Sequence, residues 1–244
     1  MIEFTNVSKM YPTGLTQKWT LRDASFRIER GEAIGICGIN GAGKSTLLRM
    51  MSGIEHPTSG RIRRTFSISW PLGFSHAFQS SLTGADNTRF IARIYGIPWR
   101  RMVEEVEAFA DLGPFMRMPV KTYSSGMKAR LAFAVSLAVN FDCYLVDEIT
   151  AVGDASFQAR CHQALWARRS RGTLVMVSHS VETLREFCTR GATLVDGVLT
   201  FYDTIDEALA AYCDAHGIGT APPPVAADAT VGDAVEAAPE APGA

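Results

Sequence analysis

Several features that define common protein classes are missing from this chain of 244 residues. The longest apolar run without a charge, residues 131–141, covers 11 residues, whereas a membrane helix needs roughly 20. The five cysteines form no C-x-x-C pair, so we expect no disulfide framework, no zinc site and a reducing compartment. The N-terminus contains Glu3 and no long apolar core, so we expect no secretory signal. These absences favour a soluble cytosolic protein.

A large excess of one charge is also missing. The chain has 24 basic and 25 acidic residues and a net charge of −1, which argues against a general nucleic-acid-binding surface. Residues 217–244 contain five of the eleven prolines, four acidic residues and no basic one. This composition predicts a disordered acidic tail after a folded body over residues 1–216. The hydrophobic fraction of 47% is sufficient for a sizeable core in that body.

Short apolar runs alternate with helical patterns along the body. Ala33–Cys37 is an apolar run next to glycines, and it precedes a glycine-rich loop and a helix through Met51. Residues 143–146 and 174–177 are two more apolar runs, which predict buried strands. The segment between them is apolar at every fourth residue, as on one face of a helix: Phe157, Cys161 and Leu165. This alternation predicts a parallel sheet that is covered on both faces.

Two further helical regions are visible in the pattern. Residues 82–112 have helical character and no buried strand, so we expect an inserted helical subdomain there. Thr204 and Glu207 have the spacing of a capping box, which predicts the start of a last helix. The apolar face of that helix consists of Ile205, Ala208, Leu209 and Tyr212.

A phosphate-binding loop is the most specific motif of the chain. It reads Gly38-Ile39-Asn40-Gly41-Ala42-Gly43-Lys44-Ser45 and fits the pattern G-x-x-x-x-G-K-[ST] between a strand and a helix. Its glycines allow backbone N–H groups to surround a phosphate, and the helix N-terminus adds a positive dipole end. We expect Lys44 to reach the β- and γ-phosphates, the Ser45 hydroxyl to bind Mg²⁺, and Thr46 to contact the α- and β-phosphates.

Polar residues follow the other two predicted strands. Asp147 and Glu148 come directly after one apolar run, at the strand end where α/β sheets bind ligands. Asp147 suits a contact to Mg²⁺, and Glu148 suits the base that orients and activates water. His179 follows the other strand, and its position beside a phosphate site predicts a functional role. The remaining four histidines have no such position and receive no predicted role.

The segment Tyr123–Met127, with the sequence Tyr-Ser-Ser-Gly-Met, opens a predicted helix 21 residues before Glu148. It resembles the signature motif L-S-G-G-Q of ATP-binding-cassette (ABC) ATPases. The other motifs of that family then follow in order: Tyr11 resembles the aromatic residue that stacks on adenine, Gln79 the Q-loop glutamine, residues 151–154 the D-loop with Asp154, and His179 the switch histidine.

This resemblance covers residues 1–216 and implies an α/β P-loop NTPase fold. The family has a RecA-like parallel sheet core, an N-terminal antiparallel β subdomain and an inserted helical subdomain, here at about residues 80–138. ATP and Mg²⁺ are the implied cofactors, with Gln79 joining Ser45 and Asp147 at the metal. A head-to-tail homodimer is also implied, in which one subunit's signature residues contact the nucleotide of the other: Ser124, Ser125 and Gly126.

Departures from the common family pattern indicate one branch of it. Tyr123, Ser125 and Met127 replace the usual leucine, glycine and glutamine, while Ile149 and Gly153 replace the usual proline and leucine. Together with residues 69–72 and 78–84, they resemble the ATPases that export capsular polysaccharide in Gram-negative bacteria.

That branch implies a peripheral protein at the cytoplasmic face of the inner membrane. Its expected partners are an integral-membrane permease and, through the permease, periplasmic and outer-membrane export proteins; no nucleic acid is expected. The implied reaction is an in-line attack of water on ATP. Lys44, Mg²⁺, His179 and the partner subunit's signature residues stabilise its charge.

Two alternatives remain from the sequence. The chain could serve export of O-antigen or teichoic acid, although many O-antigen ATPases carry a carbohydrate-binding domain for which a 28-residue tail is too short. It could also be a soluble ABC protein that acts on ribosomes or DNA. Such proteins usually carry two cassettes or a long coiled-coil insertion, for which 244 residues leave no room.

Overall fold

The fold consists of two sheets with helices packed around them, in a computed structural model that describes residues 1–13, 16–73, 78–147 and 154–216. The strands are β1 (Ile2–Thr13), β2 (Thr16–Ile28), β3 (Ala33–Cys37), β4 (Ser59–Arg64), β5 (Ile68–Leu72), β6 (Cys143–Asp147), β7 (Thr173–Val177), β8 (Arg190–Val195) and β9 (Val198–Tyr202). The helices are α1 (Lys44–Ser52), α2 (Gly84–Ile94), α3 (Trp99–Ala110), α4 (Ser125–Ala138), α5 (Ala155–Arg169), α6 (Val181–Phe187) and α7 (Ile205–His216), with 3₁₀ turns at Gly113–Arg117 and Val120–Thr122.

The larger sheet has the order β5-β6-β7-β3-β8-β9, and it is parallel except for β9, which pairs antiparallel with β8 at one edge. Alternate residues of β6 point to opposite faces, as the period of a strand requires. Tyr144 and Val146 join the core on one face, and Cys143 and Leu145 join the core on the other. The predicted parallel sheet with two covered faces is therefore confirmed, as are its three predicted strands.

The smaller sheet is antiparallel, with the order β2-β1-β4. Its inward residues share a core with one face of the larger sheet and with α1. Phe4 of β1 and Phe26 of β2 stack with their ring centroids 4.3 Å apart. This sheet is the N-terminal antiparallel element that the family resemblance implies, and it brings the end of β1 next to the phosphate loop.

Helices α2, α3 and α4 lie between β5 and β6 along the chain, and α2 and α3 fall within residues 82–112, where helices were predicted. Thr83 caps α2, because its side chain accepts a hydrogen bond from the backbone N–H of Asp86. The longest apolar run of the sequence, residues 131–141, begins in the second half of α4, which is buried from Leu131 to Leu137. Within the described ranges, no helix combines the length and the apolar character that crossing a bilayer requires.

Three strands of the larger sheet were not predicted: β5, β8 and β9. Residues 69–72 served only as a marker of the family branch, whereas the structure forms β5 there. Pro71 hid this strand, because proline cannot donate to a sheet and occurs mainly on edge strands. β5 is such an edge strand, and its pairing with β6 shifts register between Ile68 and Pro71.

The last helix begins with the predicted capping box. The backbone N–H of Thr204 donates to Glu207 Oε2, and the N–H of Glu207 donates to Thr204 Oγ1, both at 3.2 Å. The helix lies against β8 at Gly191, where an added Cβ would overlap the Cβ of Ala208 and come 3.2 Å from Cα of Ile205. The predicted tail, residues 217–244, lies outside the described residues.

We expect Gly191→Ala to lower the free energy of unfolding by about 1–3 kcal/mol, because the extra methyl group pushes α7 from the sheet. Ala208→Gly supplies the matched test, since it removes the methyl group that would clash. Urea unfolding of both single variants and of the double variant measures the coupling between the two sites. Strictly additive losses in the double variant would show that the two positions do not compete for the same space.

Candidate functional site

Three strands of the larger sheet end side by side. β6, β7 and β3 are neighbours and run parallel, and Asp147, Val177 and Ile36 form one row across them. Asp147 therefore lies at the edge of the sheet where the segments after β7 and β3 emerge. Those two segments carry His179 and the phosphate loop, as the sequence predicted.

A cavity of about 510 Å³ opens at this edge, which is a usual size for a small-molecule site. Its lining includes most of the residues predicted to bind nucleotide: Tyr11, Asn40, Gly41, Gly43, Lys44, Ser45, Thr46, Asp147 and His179. It also includes residues to which the sequence gave no role: Lys18, Thr20 and Arg49.

The phosphate loop leads directly into α1. Gly43 has φ 111°, and a Cβ there would lie 2.7 Å from the carbonyl oxygen of Thr20, so no other residue fits without strain. The ammonium of Lys44 donates to the carbonyl oxygens of Gly38 at 2.6 Å and Ile39 at 2.9 Å. This cation is buried on its own loop, where phosphate oxygens could replace the two carbonyls.

Two oxygen donors on this cavity fit a Mg²⁺ ion. Asp147 ends β6 with its side chain half-buried, and Ser45 is the second residue of α1. Both line the same cavity, and a carboxylate with a hydroxyl is the oxygen chemistry that Mg²⁺ prefers. The residues present therefore suit the ion that the family resemblance implies.

The backbone of Gln79 is held by a residue that the sequence analysis missed. Its backbone N–H donates to Asn87 Oδ1 at 2.9 Å, and its carbonyl oxygen accepts from Asn87 Nδ2 at 3.1 Å. Asn87 is 3% exposed, so these bonds are sheltered from water. Gln79 itself is not among the residues that line the cavity, and its predicted contact with Mg²⁺ stays a prediction.

Two other predicted loop residues lie outside the main cavity. Ala42 packs at the edge of the core that α1 shares with the smaller sheet. Gly38 lines a separate cavity of about 40 Å³, together with Cys37 and His179. His179 therefore borders both cavities.

The signature segment opens α4, as predicted. The Ser124 side chain caps this helix by accepting from the backbone N–H of Met127 at 3.2 Å. In the part of the chain that the structure describes, Ser124, Ser125 and Gly126 are not among the residues that line the cavity. Their predicted contact with nucleotide in a second subunit stays a prediction.

The D-loop is described only at its last residue. Asp154 caps α5, and its Oδ1 accepts from the backbone N–H of Phe157 at 2.9 Å. This bond lowers the pKa of the Asp154 carboxyl, and Oδ2 lies 3.2 Å from the guanidinium of Arg130. Glu148 and residues 151–153 lie outside the described residues, so the role of Glu148 as a base stays a prediction.

Comparison with known proteins agrees with this geometry. The family described as ABC transporter matches residues 21–151. The chain belongs to this family. It is 50% identical over 212 residues to the capsule polysaccharide export ATP-binding protein CtrD of Neisseria meningitidis serogroup B, covering 87% of this chain and 98% of that protein. It is 49% identical over 212 residues to the ATP-binding protein BexA of Haemophilus influenzae, with the same coverage.

A solved structure confirms the fold class. The dimeric, post-hydrolysis structure of the ATP-binding cassette MJ0796 with ADP and Pi superposes with a TM-score of 0.72 at 24% identity, covering 83% of this chain and 98% of that chain. The chain is therefore an ABC-type ATPase with the P-loop NTPase fold. The family that the sequence motifs indicated is confirmed.

We expect Asn87→Leu to lower kcat for ATP hydrolysis by about ten- to a hundredfold while changing ATP affinity little. The reason is that Gln79 loses the bonds that fix its backbone, and misplacement near a reaction centre has costs of this size. Thr88→Val is the matched control, because it removes a buried hydroxyl that bonds to Gly84 and does not touch Gln79. Equal losses of kcat in both variants would mean that only helix stability matters.

Proposed function

We propose that this chain is the ATP-hydrolysing subunit of an ABC transporter that exports capsular polysaccharide across the bacterial inner membrane. The observation that carries this proposal is the 50% identity to the capsule polysaccharide export ATP-binding protein CtrD over nearly the full length of that protein. The cavity next to Lys44, Asp147 and His179 supplies the chemistry that such a subunit needs.

In the proposed reaction, a water oxygen attacks the γ-phosphorus while the bridging bond to the β-phosphate breaks, which yields ADP and inorganic phosphate. Glu148 accepts the proton of that water. Lys44 exchanges the carbonyls of Gly38 and Ile39 for phosphate oxygens and stabilises their negative charge. His179, which also lines the cavity, contacts the transferred phosphoryl group. Mg²⁺ held near Ser45 and Asp147 would neutralise phosphate charge.

A head-to-tail dimer completes the proposed site. The signature residues at the start of α4 do not line their own subunit's cavity. Ser124 is exposed there, and it uses its oxygen to cap the helix, so its hydroxyl hydrogen can still reach a phosphate. The backbone N–H groups in the first turn of α4 add a positive dipole end. In the proposed dimer, these donors face the γ-phosphate bound by the other copy.

Ser124→Arg tests this dimer. We expect ATP hydrolysis by the permease complex to fall at least about a hundredfold, because the bulky cation blocks closure and the hydroxyl donor is lost. ATP affinity of the isolated subunit should remain unchanged. Ser124→Asp is the matched control for folding, since aspartate also caps helices well. It should fold normally and still lose hydrolysis, because its carboxylate repels the phosphate.

The reference for this experiment is Glu148→Gln, which should still bind ATP and hydrolyse it about 10²–10⁴-fold more slowly than the wild type. If Ser124→Arg weakens ATP affinity of the isolated subunit as strongly as it lowers hydrolysis, then Ser124 acts within its own subunit. If the wild-type chain neither binds nor hydrolyses ATP, the proposed function itself is wrong.

We also propose that the permease contacts the exposed face of α2. Phe90 and Ile94 are each 61% exposed, and they border an apolar cavity of about 190 Å³ with Trp70 and Phe78. Such an apolar surface favours burial by a partner. The same helix carries Asn87, which bonds to the backbone of Gln79. A movement of α2 on permease contact would therefore move Gln79.

Phe90→Asp should abolish co-purification with the permease and leave ATP binding intact, because burying a charge in an apolar interface is costly. Val198→Asp is the control, since Val198 is also an exposed apolar residue, at 53%, but lies on the edge strand β9. Retention of the permease by Phe90→Asp, or its loss in both variants, would contradict this contact.

An export assay separates the alternative functions. In cells that lack this chain, capsular polysaccharide should accumulate on the cytoplasmic side of the inner membrane and disappear from the cell surface. The wild-type gene should restore the surface polysaccharide. Loss of surface O-antigen or teichoic acid instead would assign the chain to that substrate. Co-sedimentation with ribosomes without any permease would favour the non-transport alternative.

A further inference from the structure

A cluster of polar side chains lies beside the nucleotide cavity and has no part in the reaction described above. At its centre is Glu55, in the turn after α1, with a side chain only 17% exposed. The hydroxyl of Tyr11 donates to Glu55 Oε1. Lys9 Nζ lies 2.9 Å from the same oxygen, and Arg49 Nε lies 3.0 Å from Oε2. Both carboxylate oxygens therefore have charged or hydroxyl partners.

The surroundings of this carboxylate keep it ionised. Burial by itself would raise the pKa of Glu55, but the hydrogen bonds from Tyr11, Lys9 and Arg49 outweigh burial and lower the pKa to about 2. The group therefore carries its negative charge throughout the physiological pH range. A buried charge with this set of partners is costly to disturb, because removing it takes away the acceptor that two cations and a hydroxyl share.

The cluster continues into the phosphate loop. Arg49 donates through a second guanidinium nitrogen, Nη2, to Thr46 Oγ1 at 3.0 Å, and Arg49 and Thr46 both line the nucleotide cavity. At the other end, the ammonium of Lys9 lies 4.9 Å from the centroid of the Tyr11 ring. A protein cation therefore lies over the ring, and the ring itself lines the nucleotide cavity.

We propose that Glu55 is a positioning residue that connects the ring of Tyr11, where the base stacks, to Thr46 in the phosphate loop. This inference rests on the proposed function, since it assumes that the cavity binds ATP. Glu55 anchors the tip of the ring through the tyrosine hydroxyl, and it fixes Arg49, which in turn orients the Thr46 hydroxyl. The distance between the ring that binds the base and the hydroxyl that binds phosphate is thereby fixed.

Nucleotide affinities of four proteins test this connection: wild type, Glu55→Gln, Tyr11→Phe and the double variant. Glu55→Gln should raise the Kd for ATP about tenfold, because charge-assisted hydrogen bonds are lost. Tyr11→Phe keeps the stacking ring and loses only the anchor, so it should raise the Kd by a smaller factor. The double variant should be no worse than Glu55→Gln alone, because the two groups act through one bond.

Tripolyphosphate, which has no base, tests the other end. Glu55→Gln should weaken its binding, because Arg49 no longer orients Thr46, whereas Tyr11→Phe should leave its binding unchanged. The control variant is Glu3→Gln, which removes a carboxylate that pairs with Arg27 at 2.7 Å on the same sheet, away from the cavity. It should leave both affinities as in the wild type.

Several outcomes would overturn the proposal. The first is an unchanged affinity of Glu55→Gln for ATP, and the second is an unchanged affinity of Glu55→Gln for tripolyphosphate. The third is a Kd for ATP in the double variant that rises by the product of the two single-variant factors. A merely structural role of Glu55 would lower the melting temperature without this pattern of affinities. Failure of the wild-type chain to bind ATP would instead contradict the proposed function, so the two failures are distinguishable.

Discussion

The parallel alignment of β6, β7 and β3 is the constraint on which the rest of the site depends. Each of these strands is buried in a core on both faces, so a shift of one residue would exchange the faces of a whole strand. The register is therefore fixed, and Asp147, Val177 and Ile36 stay in one row. The phosphate loop and His179, which follow β3 and β7, are positioned by that register although they lie in loops.

Buried charges with designated partners set the electrostatics of the cavity. Lys44 is 7% exposed and rests on two carbonyl oxygens, so its charge is already desolvated and partly compensated before a phosphate arrives. Such preorganisation costs little rearrangement when charge develops in a reaction. Glu55 has the same character at the other end of the cavity, where three donors surround one carboxylate.

The sequence predicted those parts of the fold that local pattern determines. The strand at Ala33–Cys37 is short, apolar throughout and bounded by glycine, and its predicted limits are those of the structure. The phosphate loop and the capping box of α7 also depend only on residues a few positions apart. Strand β5 was missed because its pairing with β6, rather than its composition, makes it a strand, and Pro71 argues locally against one.

The parts of the site that sequence did not predict depend on long-range contacts. Tyr11 and Glu55 are 44 residues apart, and no periodic pattern links a strand to a turn beyond the next helix. In the sequence, Asn87 is an ordinary polar residue of a helical segment, and only the structure shows its bonds to the Gln79 backbone. Arg49 could have been found, because it lies one helical turn after Ser45 and so shares its face of α1.

Two helix N-termini account for the head-to-tail arrangement of the proposed dimer. The N-terminus of α1 borders its own cavity, whereas α4 begins at Ser124, which is not among the lining residues of that cavity. Both termini present backbone N–H groups and a positive dipole end, which favour phosphate. A phosphate between two such termini is stabilised by both, and of these two termini only that of α1 borders the cavity of its own chain. A second copy in head-to-tail orientation would supply the other terminus, and closure would then occur only when nucleotide is bound between the two copies.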